Sequence, residues 1–180
     1  MVSAAVNGFI AETDRLVLRE ILETDAAFIN ELLNTESFIN YIGDRGVRSE
    51  SDAATFIRER YRQSYADNGY GLYAVVLKAA GLPIGMCGFV RRVSLPGPDI
   101  GFAFLPEYER RGYGLESAKA AMAFGQSDLG FTTVYAITTP GNDASERLLA
   151  KLGFESVGLT RMPDGELLNV FRHTYPESAD

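Results

Sequence analysis

The 180-residue chain predicts one α/β domain, residues 1–180, on three observations. Its length is close to the ~150 residues of a typical domain. Apolar spacing alternates along it between the two-residue repeat of strands and the three-to-four-residue repeat of helices. No low-complexity linker, charge block or internal repeat interrupts that alternation.

The elements follow in order. Arg15-Leu16-Val17-Leu18-Arg19 alternates polar and apolar side chains and reads as a strand. Thr24-Asp25 then caps a helix whose apolar face carries Phe28, Ile29, Leu32 and Leu33. Ser49-Glu50-Ser51-Asp52 opens a second helix, with Ala54, Ile57, Tyr61 and Tyr65 at helical spacing and Asn68-Gly69 as its stop. Strands over 72–78 and 84–92 flank a turn at 79–83, and the Pro96-Gly97-Pro98 turn feeds a strand over 99–105. An alanine-rich helix covers 115–127, and the β-branched run Thr133-Val134-Tyr135-Ala136-Ile137-Thr138 is a strand. A short helix with Ala144, Leu148, Leu149 and Leu152 on one face ends at Gly153, before strands over 154–159 and 167–173. The reading amounts to about seven strands and about four helices.

Charge and composition exclude several functions. Lysine plus arginine is 17 against 24 aspartate plus glutamate, a net charge of −7, which opposes nucleic-acid or anionic-lipid binding and suits a cationic small molecule or basic peptide. The longest apolar stretch without charge, 79–90, is 12 residues with three glycines and a proline, well short of the ~20 that span a bilayer. The first residues lack the basic and long apolar regions of a secretory signal, so a cytoplasmic protein is expected. A lone cysteine, Cys87, and a lone histidine, His173, exclude an internal disulfide and a Cys/His zinc site, and no metal is expected.

The segment from Leu105 to Leu115 carries the first chemical signal. A strand running into Glu109-Arg110-Arg111-Gly112-Tyr113-Gly114 at a helix start directs several backbone N–H groups into one space, which suits a phosphate. Alone, the signal is weak and favours an ordinary glycine turn with two solvated arginines. No Lys-Ser/Thr follows, so it is not a Walker loop, and the dinucleotide fingerprint is incomplete.

A second segment is specific. Asn142, Ser145, Leu148, Lys151, Leu152, Gly153 and Phe154 resemble the N-x-x-S-x-x-L-x-x-K-L-G-F run of the GNAT acetyltransferase superfamily, and the glycine loop lies about thirty residues upstream, where that superfamily has its pyrophosphate loop. Thr13 to Arg19, Ile84 to Gly88 and Asp99 to Phe102 are similar to the subgroup of ribosomal-protein N-terminal acetyltransferases. The resemblance implies a mixed, mostly antiparallel sheet, splayed at its middle, with acetyl-CoA in the gap. It further implies that backbone groups of Phe104 and Leu105 bond the pantetheine arm. Arg110, Arg111, Gly112, Tyr113, Gly114 and Leu115 would then cradle the pyrophosphate, and Asn142 and Ser145 would close the site. The implied reaction is direct acetyl transfer to a primary amine on a small molecule or a protein N-terminus. A non-catalytic acyl-CoA-binding module is the alternative, favoured by Glu109 in place of the family's arginine or glutamine and by Leu149 at the position of a tyrosine acid.

Ser145 is the remaining hydroxyl that can protonate the departing thiolate, directly or through water; otherwise it bonds only backbone or cofactor. Asp99 is the first candidate for a base or ammonium anchor acting through water, against a solvated residue capping the preceding turn. His173 reads as structural, and Cys87, in the apolar run 84–90, as packing. Phe38, Tyr41, Tyr70 and Tyr73 form either an aromatic acceptor wall or ordinary core. Arg58, Arg60 and Arg62 read as a solvated helix face. An exposed edge strand makes a homodimer possible.

Overall fold

The computed structural model describes residues 8–177. An eight-stranded sheet forms its centre, built from β1 (Phe9–Glu12), β2 (Leu16–Glu20), β3 (Leu72–Leu77), β4 (Leu82–Val90), β5 (Asp99–Phe104), β6 (Thr133–Thr138), β7 (Glu155–Arg161) and β8 (Leu167–Thr174). The strand order is β1-β2-β3-β4-β5-β6-β8-β7, antiparallel at every step except β5–β6. The strand that sequence reading misses is β1. Its four residues are too few for a periodic signal, and it forms by pairing on β2 through a bulge between Phe9 and Ala11.

Helices cover both faces. On one side lie α1 (Ala26–Leu33), α2 (Glu36–Tyr41), α3 (Glu50–Phe56) and α4 (Gln63–Asn68), the last two joined through a π-helical segment, Ile57–Arg62. On the other lie α5 (Tyr113–Ser127) and α6 (Asp143–Lys151). The expected first helix is α1, entered through a 3-10 turn of Glu23–Asp25 in place of a simple cap, and α2 is a further helix that sequence reading misses, capped by Thr35 accepting the Phe38 N–H. Asp25 takes both nitrogens of Arg19, at 2.8 and 2.9 Å, and the N–H of Leu22, fastening β2 to this turn. Ser49 caps α3 by accepting the N–H of Asp52, and Gly69 stops α4 with a φ of 75°.

Strand alternation divides the apolar side chains between the two faces. Leu18, Val75, Phe89, Ile100 and Val134 pack against Ala118, Ala121 and Met122 of α5. Ala74, Met86 and Leu105 pack against Ile29, Leu32, Leu33 and Ile57 of the opposite layer. Each fully buried Leu or Ile contributes about 1.5–3 kcal/mol, so both layers are held mainly by hydrophobic burial. Among the described residues no helix is long and apolar enough to cross a membrane.

One feature of the sheet positions a site. β5 is registered with β4 along its whole length and β6 likewise with β8, yet β5 and β6 share only the pair Asp99 and Tyr135. The Tyr135 N–H donates to Pro98 O at 2.9 Å, and beyond that point the two parallel strands part.

Candidate functional site

The gap between β5 and β6 has a closed end at Asp99 and a mouth at their C-terminal ends. Backbone alternation decides which groups face it. Leu105 N–H donates to Ile84 O at 2.9 Å, toward β4, and Pro98 O faces β6, so even-numbered residues of β5 turn their N–H and C=O toward the gap. Phe102 and Phe104 therefore present unpaired strand edge to it. This corrects one expectation. Leu105 cannot bond a pantetheine arm through its backbone, because its N–H is taken by Ile84 and its C=O accepts Tyr108 N–H at 2.9 Å. Phe104 and Phe102 both turn their N–H and C=O away from β4, toward the gap. Alternation alone shows in the sequence that the adjacent residues Phe104 and Leu105 cannot both turn their backbone groups to the gap.

The glycine loop lies at the mouth. Arg110 has a φ of 59°, the one positive value outside glycine among the described residues, and Gly112 has 83° as N-cap of α5. Left-handed residues on either side of Arg111 curl the chain so that its N–H groups converge. Among the described residues the N–H groups of Arg110, Arg111, Gly112, Tyr113, Gly114 and Leu115 have no backbone acceptor. The helix dipole adds partial positive charge there. Arg110 and Arg111 are exposed, and so is Glu109, whose carboxylate thus has room to turn outward.

Sequence reading passed over the support beneath this loop. Arg15 donates through Nε to Glu116 Oε2 at 2.7 Å and through Nη1 to Arg111 O at 3.1 Å, and its guanidinium lies 4.3 Å from the centre of the Tyr113 ring. Thr13 Oγ1 donates to Glu116 Oε1 at 2.6 Å. Partial burial opposes ionisation of Glu116, but the hydrogen bonds from Thr13 and Arg15 outweigh it and hold its pKa below the ordinary value. An acid in the first turn of a phosphate-binding helix would repel the ligand, and this pairing neutralises it. The Thr13 to Arg19 segment reads in the sequence as a strand, and nothing local in it signals a partner about a hundred residues away.

Across the mouth, Asn142 caps α6 by accepting Ser145 N–H at 3.3 Å through Oδ1. Its Nδ2 is the group left to donate outward. Ser145 is half-buried, and its Oγ has no protein partner among the described residues. Leu149 is 1% exposed within the α5-side core, filling with hydrocarbon the position where a tyrosine acid was considered. α5 and α6 approach closely, since a Cβ on Gly114 would lie 3.0 Å from Leu148.

Asp99, at the closed end, is 1% exposed, which overturns the reading of a solvated turn cap. Arg92 Nε donates to its Oδ2 at 3.1 Å, while Oδ1 is buried without a partner. Desolvation outweighs the pull of Arg92 and raises the Asp99 pKa to about 6. Five strand steps of ~3.3 Å put Asp99 roughly 17 Å from Phe104, while α6 is fastened closer in, Thr138 Oγ1 donating to Glu146 Oε1 at 3.1 Å three residues beyond the Asp99–Tyr135 pair, so Ser145 stands part-way along the gap and not beside Asp99.

The remaining candidates are structural. His173 sits 5.5 Å from Phe154 and 4.8 Å from Tyr175, ring centre to ring centre. Cys87 is fully buried, and burial pushes its thiol up to about 12. The aromatic wall does not exist: Phe38 and Tyr73 are core, Tyr70 packs edge-on against Phe131 at 5.2 Å, and Tyr41 is exposed. Arg58 and Arg62 pair with Glu23 and Glu20 on an outer face. Two shallow grooves around Phe131 and Thr133 lie away from the mouth and hold no candidate residue.

Residues 15–155 match the Acetyltransferase (GNAT) domain model, so the chain belongs to the GNAT acetyltransferase family. It is 29% identical over 153 residues to the uncharacterized N-acetyltransferase YoaA of Bacillus subtilis (strain 168), covering 84% of this chain and 86% of that one. In fold it is similar to the ribosomal-protein-S5-alanine acetyltransferase from Vibrio fischeri, with TM-score 0.77, 16% identity, and 94% and 98% of the two chains covered. It is also similar to AAC(6')-Ib, solved in complex with parmomycin and acetyl-CoA, with TM-score 0.73, 22% identity, and 93% and 99% covered. The protein is an N-acetyltransferase, and its family implies acetyl-CoA as the donor.

Proposed function

We propose that this enzyme transfers acetyl from acetyl-CoA to a primary amine by direct attack in a ternary complex, with the acceptor amine meeting the donor at the closed end of the β5–β6 gap. The observation that carries the reading is the parted strand pair itself. It offers unpaired backbone at Phe102 and Phe104, converging N–H groups at the mouth, and a buried carboxylate oxygen without a partner at the far end.

These groups suit the donor. Phe102 and Phe104 match an amide-bearing arm lying as an extra strand, Asn142 Nδ2 adds a donor, and the N–H groups of residues 110–115 with Arg110 and Arg111 match a diphosphate. The donor supplies an acetyl group already activated as a thioester. Transfer forms one N–C bond and breaks one C–S bond, so a proton leaves the amine and a proton reaches the sulfur. Asp99 Oδ1 receives the first through water, and its raised pKa makes it a better base near neutrality than an ordinary aspartate. Ser145 Oγ supplies the second from the mouth side, directly or through water. Holding both reactants in one gap contributes through proximity.

The acceptor classes named for the structural neighbours, a ribosomal protein and an aminoglycoside-type ligand, define two arms of the test. Thiol release from acetyl-CoA is measured against peptides with varied N-termini, polyamines, amino acids and aminoglycosides, with Gly112→Trp as a blocked-loop control. Amine-dependent release, lost in the control, is expected. Stabilisation by acetyl-CoA with no release for any amine would overturn the reading and leave the binding-module alternative.

A further inference from the structure

The start of α6 carries Asn142 and Ser145, yet it has little apolar anchorage of its own. Asp143, Ala144 and Arg147 are exposed and Ser145 is half-buried. Among the described residues the one buried side chain of α6 is Leu149, nearly two turns from the helix start. Helix ends without such burial fray unless polar bonds hold them.

Glu146 supplies those bonds. Its N–H donates to Asn142 O at 3.2 Å within the turn, and its side chain leaves the turn for the sheet. Oε1 accepts the Thr138 hydroxyl at 3.1 Å, from the last residue of β6, and Asn169 Nδ2 at 2.9 Å, from β8. Thr138 and Asn169 are opposite residues of the β6–β8 ladder, so one carboxylate oxygen grips two strands at a single step of their register. Thr138 is buried and Asn169 half-buried, which limits competition from water, and a charged acceptor strengthens both bonds. Thr139 Oγ1, donating to Tyr41 O at 3.0 Å, fixes the loop before α6. The freedom that remains is a swing of the first turn about that loop, and Glu146 stops it.

We infer that Glu146 is a positioning residue for the transfer: through Thr138 and Asn169 its carboxylate sets where Ser145 Oγ and Asn142 Nδ2 stand along the gap. This rests on the roles proposed for those two groups and adds the residue that aims them. Ser145 is the chain neighbour of Glu146, and Asn142 Oδ1 accepts Ser145 N–H at 3.3 Å, so the two groups move as a unit with the turn. Placement matters, since an error of about 1 Å near reacting atoms costs up to ~10²-fold in rate. The partners of Oε1 are neutral donors, so a glutamine oxygen can replace it.

Amine-dependent thiol release, and calorimetric binding of coenzyme A, are measured for wild type, Glu146→Ala, Glu146→Gln and Thr138→Val. Each change is measured again in Asn142→Ser/Ser145→Ala, a background that keeps a helix cap but lacks both aimed groups. Glu146→Ala is expected to lose about ten- to a hundredfold in kcat/KM for acetyl-CoA and to bind coenzyme A severalfold more weakly. Glu146→Gln restores most of both, and Thr138→Val falls between; if Glu146→Ala does not fold, Thr138→Val carries the same comparison. In the double-variant background neither quantity changes by more than about twofold, because nothing remains to aim. A role in stability alone predicts equal losses in both backgrounds, and that result, or wild-type rates in Glu146→Ala, overturns the inference while leaving the transfer reaction standing. Equal losses in Glu146→Gln and Glu146→Ala overturn it also, since charge and not the bonds would then matter. If no amine drives release from the wild type, the transfer reading falls and coenzyme A binding decides alone. Weakening confined to the background that retains Asn142 and Ser145 supports the inference, and equal weakening in both, or none, overturns it.

Discussion

Asp99 gives the sharpest single-residue expectations. Its pKa lies near 6 in the folded protein against an ordinary 3.8, so the folded state holds a proton that the unfolded state has lost between about pH 4 and pH 6. Stability therefore falls as pH rises through that window. Asp99→Asn should abolish the fall, and denaturant unfolding at pH 4, 5, 6 and 7 measures it. Activity has the opposite sign, rising with pH through about 6 as the base is uncovered. Asp99→Asn should lose about 10²–10⁴ in kcat together with that limb of the profile. An unchanged profile would show that the carboxylate is structural. Ser145→Ala separates two roles: a fall in kcat at constant acetyl-CoA KM marks an acid, and a raised KM alone marks a cofactor contact.

The N-terminus of α5 is the element on which donor binding turns, and Arg15 is its brace. Arg15→Ala removes the bond to Arg111 O and leaves Glu116 facing the diphosphate site. KM for acetyl-CoA should rise severalfold with a smaller change in kcat, and Glu116→Gln in the same background should restore part of the loss. Equal KM values would show that the loop holds its shape unaided. The loop's chemistry was legible in the sequence because glycine and arginine at a strand-to-helix junction have few other uses, and Asn142 to Phe154 made it specific. Its support was not, because the Arg15–Glu116 contact joins residues distant in the chain. The same limit explains Asp99. Sequence placed it correctly at the start of a strand, but its burial follows from the single β5–β6 pair, which no local pattern encodes. Leu105 failed for a different reason, a backbone direction that strand alternation already fixed.

Over the whole molecule, two helical layers hold the parted sheet, and the gap persists because β5 and β6 are each fully paired on their other side. Leu149→Ala, deep in the α5-side core, should cost about 2–5 kcal/mol by cavity formation. Leu149→Tyr should also destabilise, since the core at this position has no room for a phenol. Both are read as midpoints of denaturant unfolding. Acetyl-CoA at a hundred times its Kd should stabilise the fold by about 2.7 kcal/mol. Amide hydrogen exchange, followed residue by residue with and without acetyl-CoA, tests the gap as the donor site without requiring any acceptor. New protection is expected at Phe102, Phe104 and residues 110–115, with Leu105 unchanged because its N–H is already bonded to Ile84. Protection confined to the groove around Phe131 and Thr133, with β5 and the glycine loop unaffected, would place the donor elsewhere and contradict the assignment.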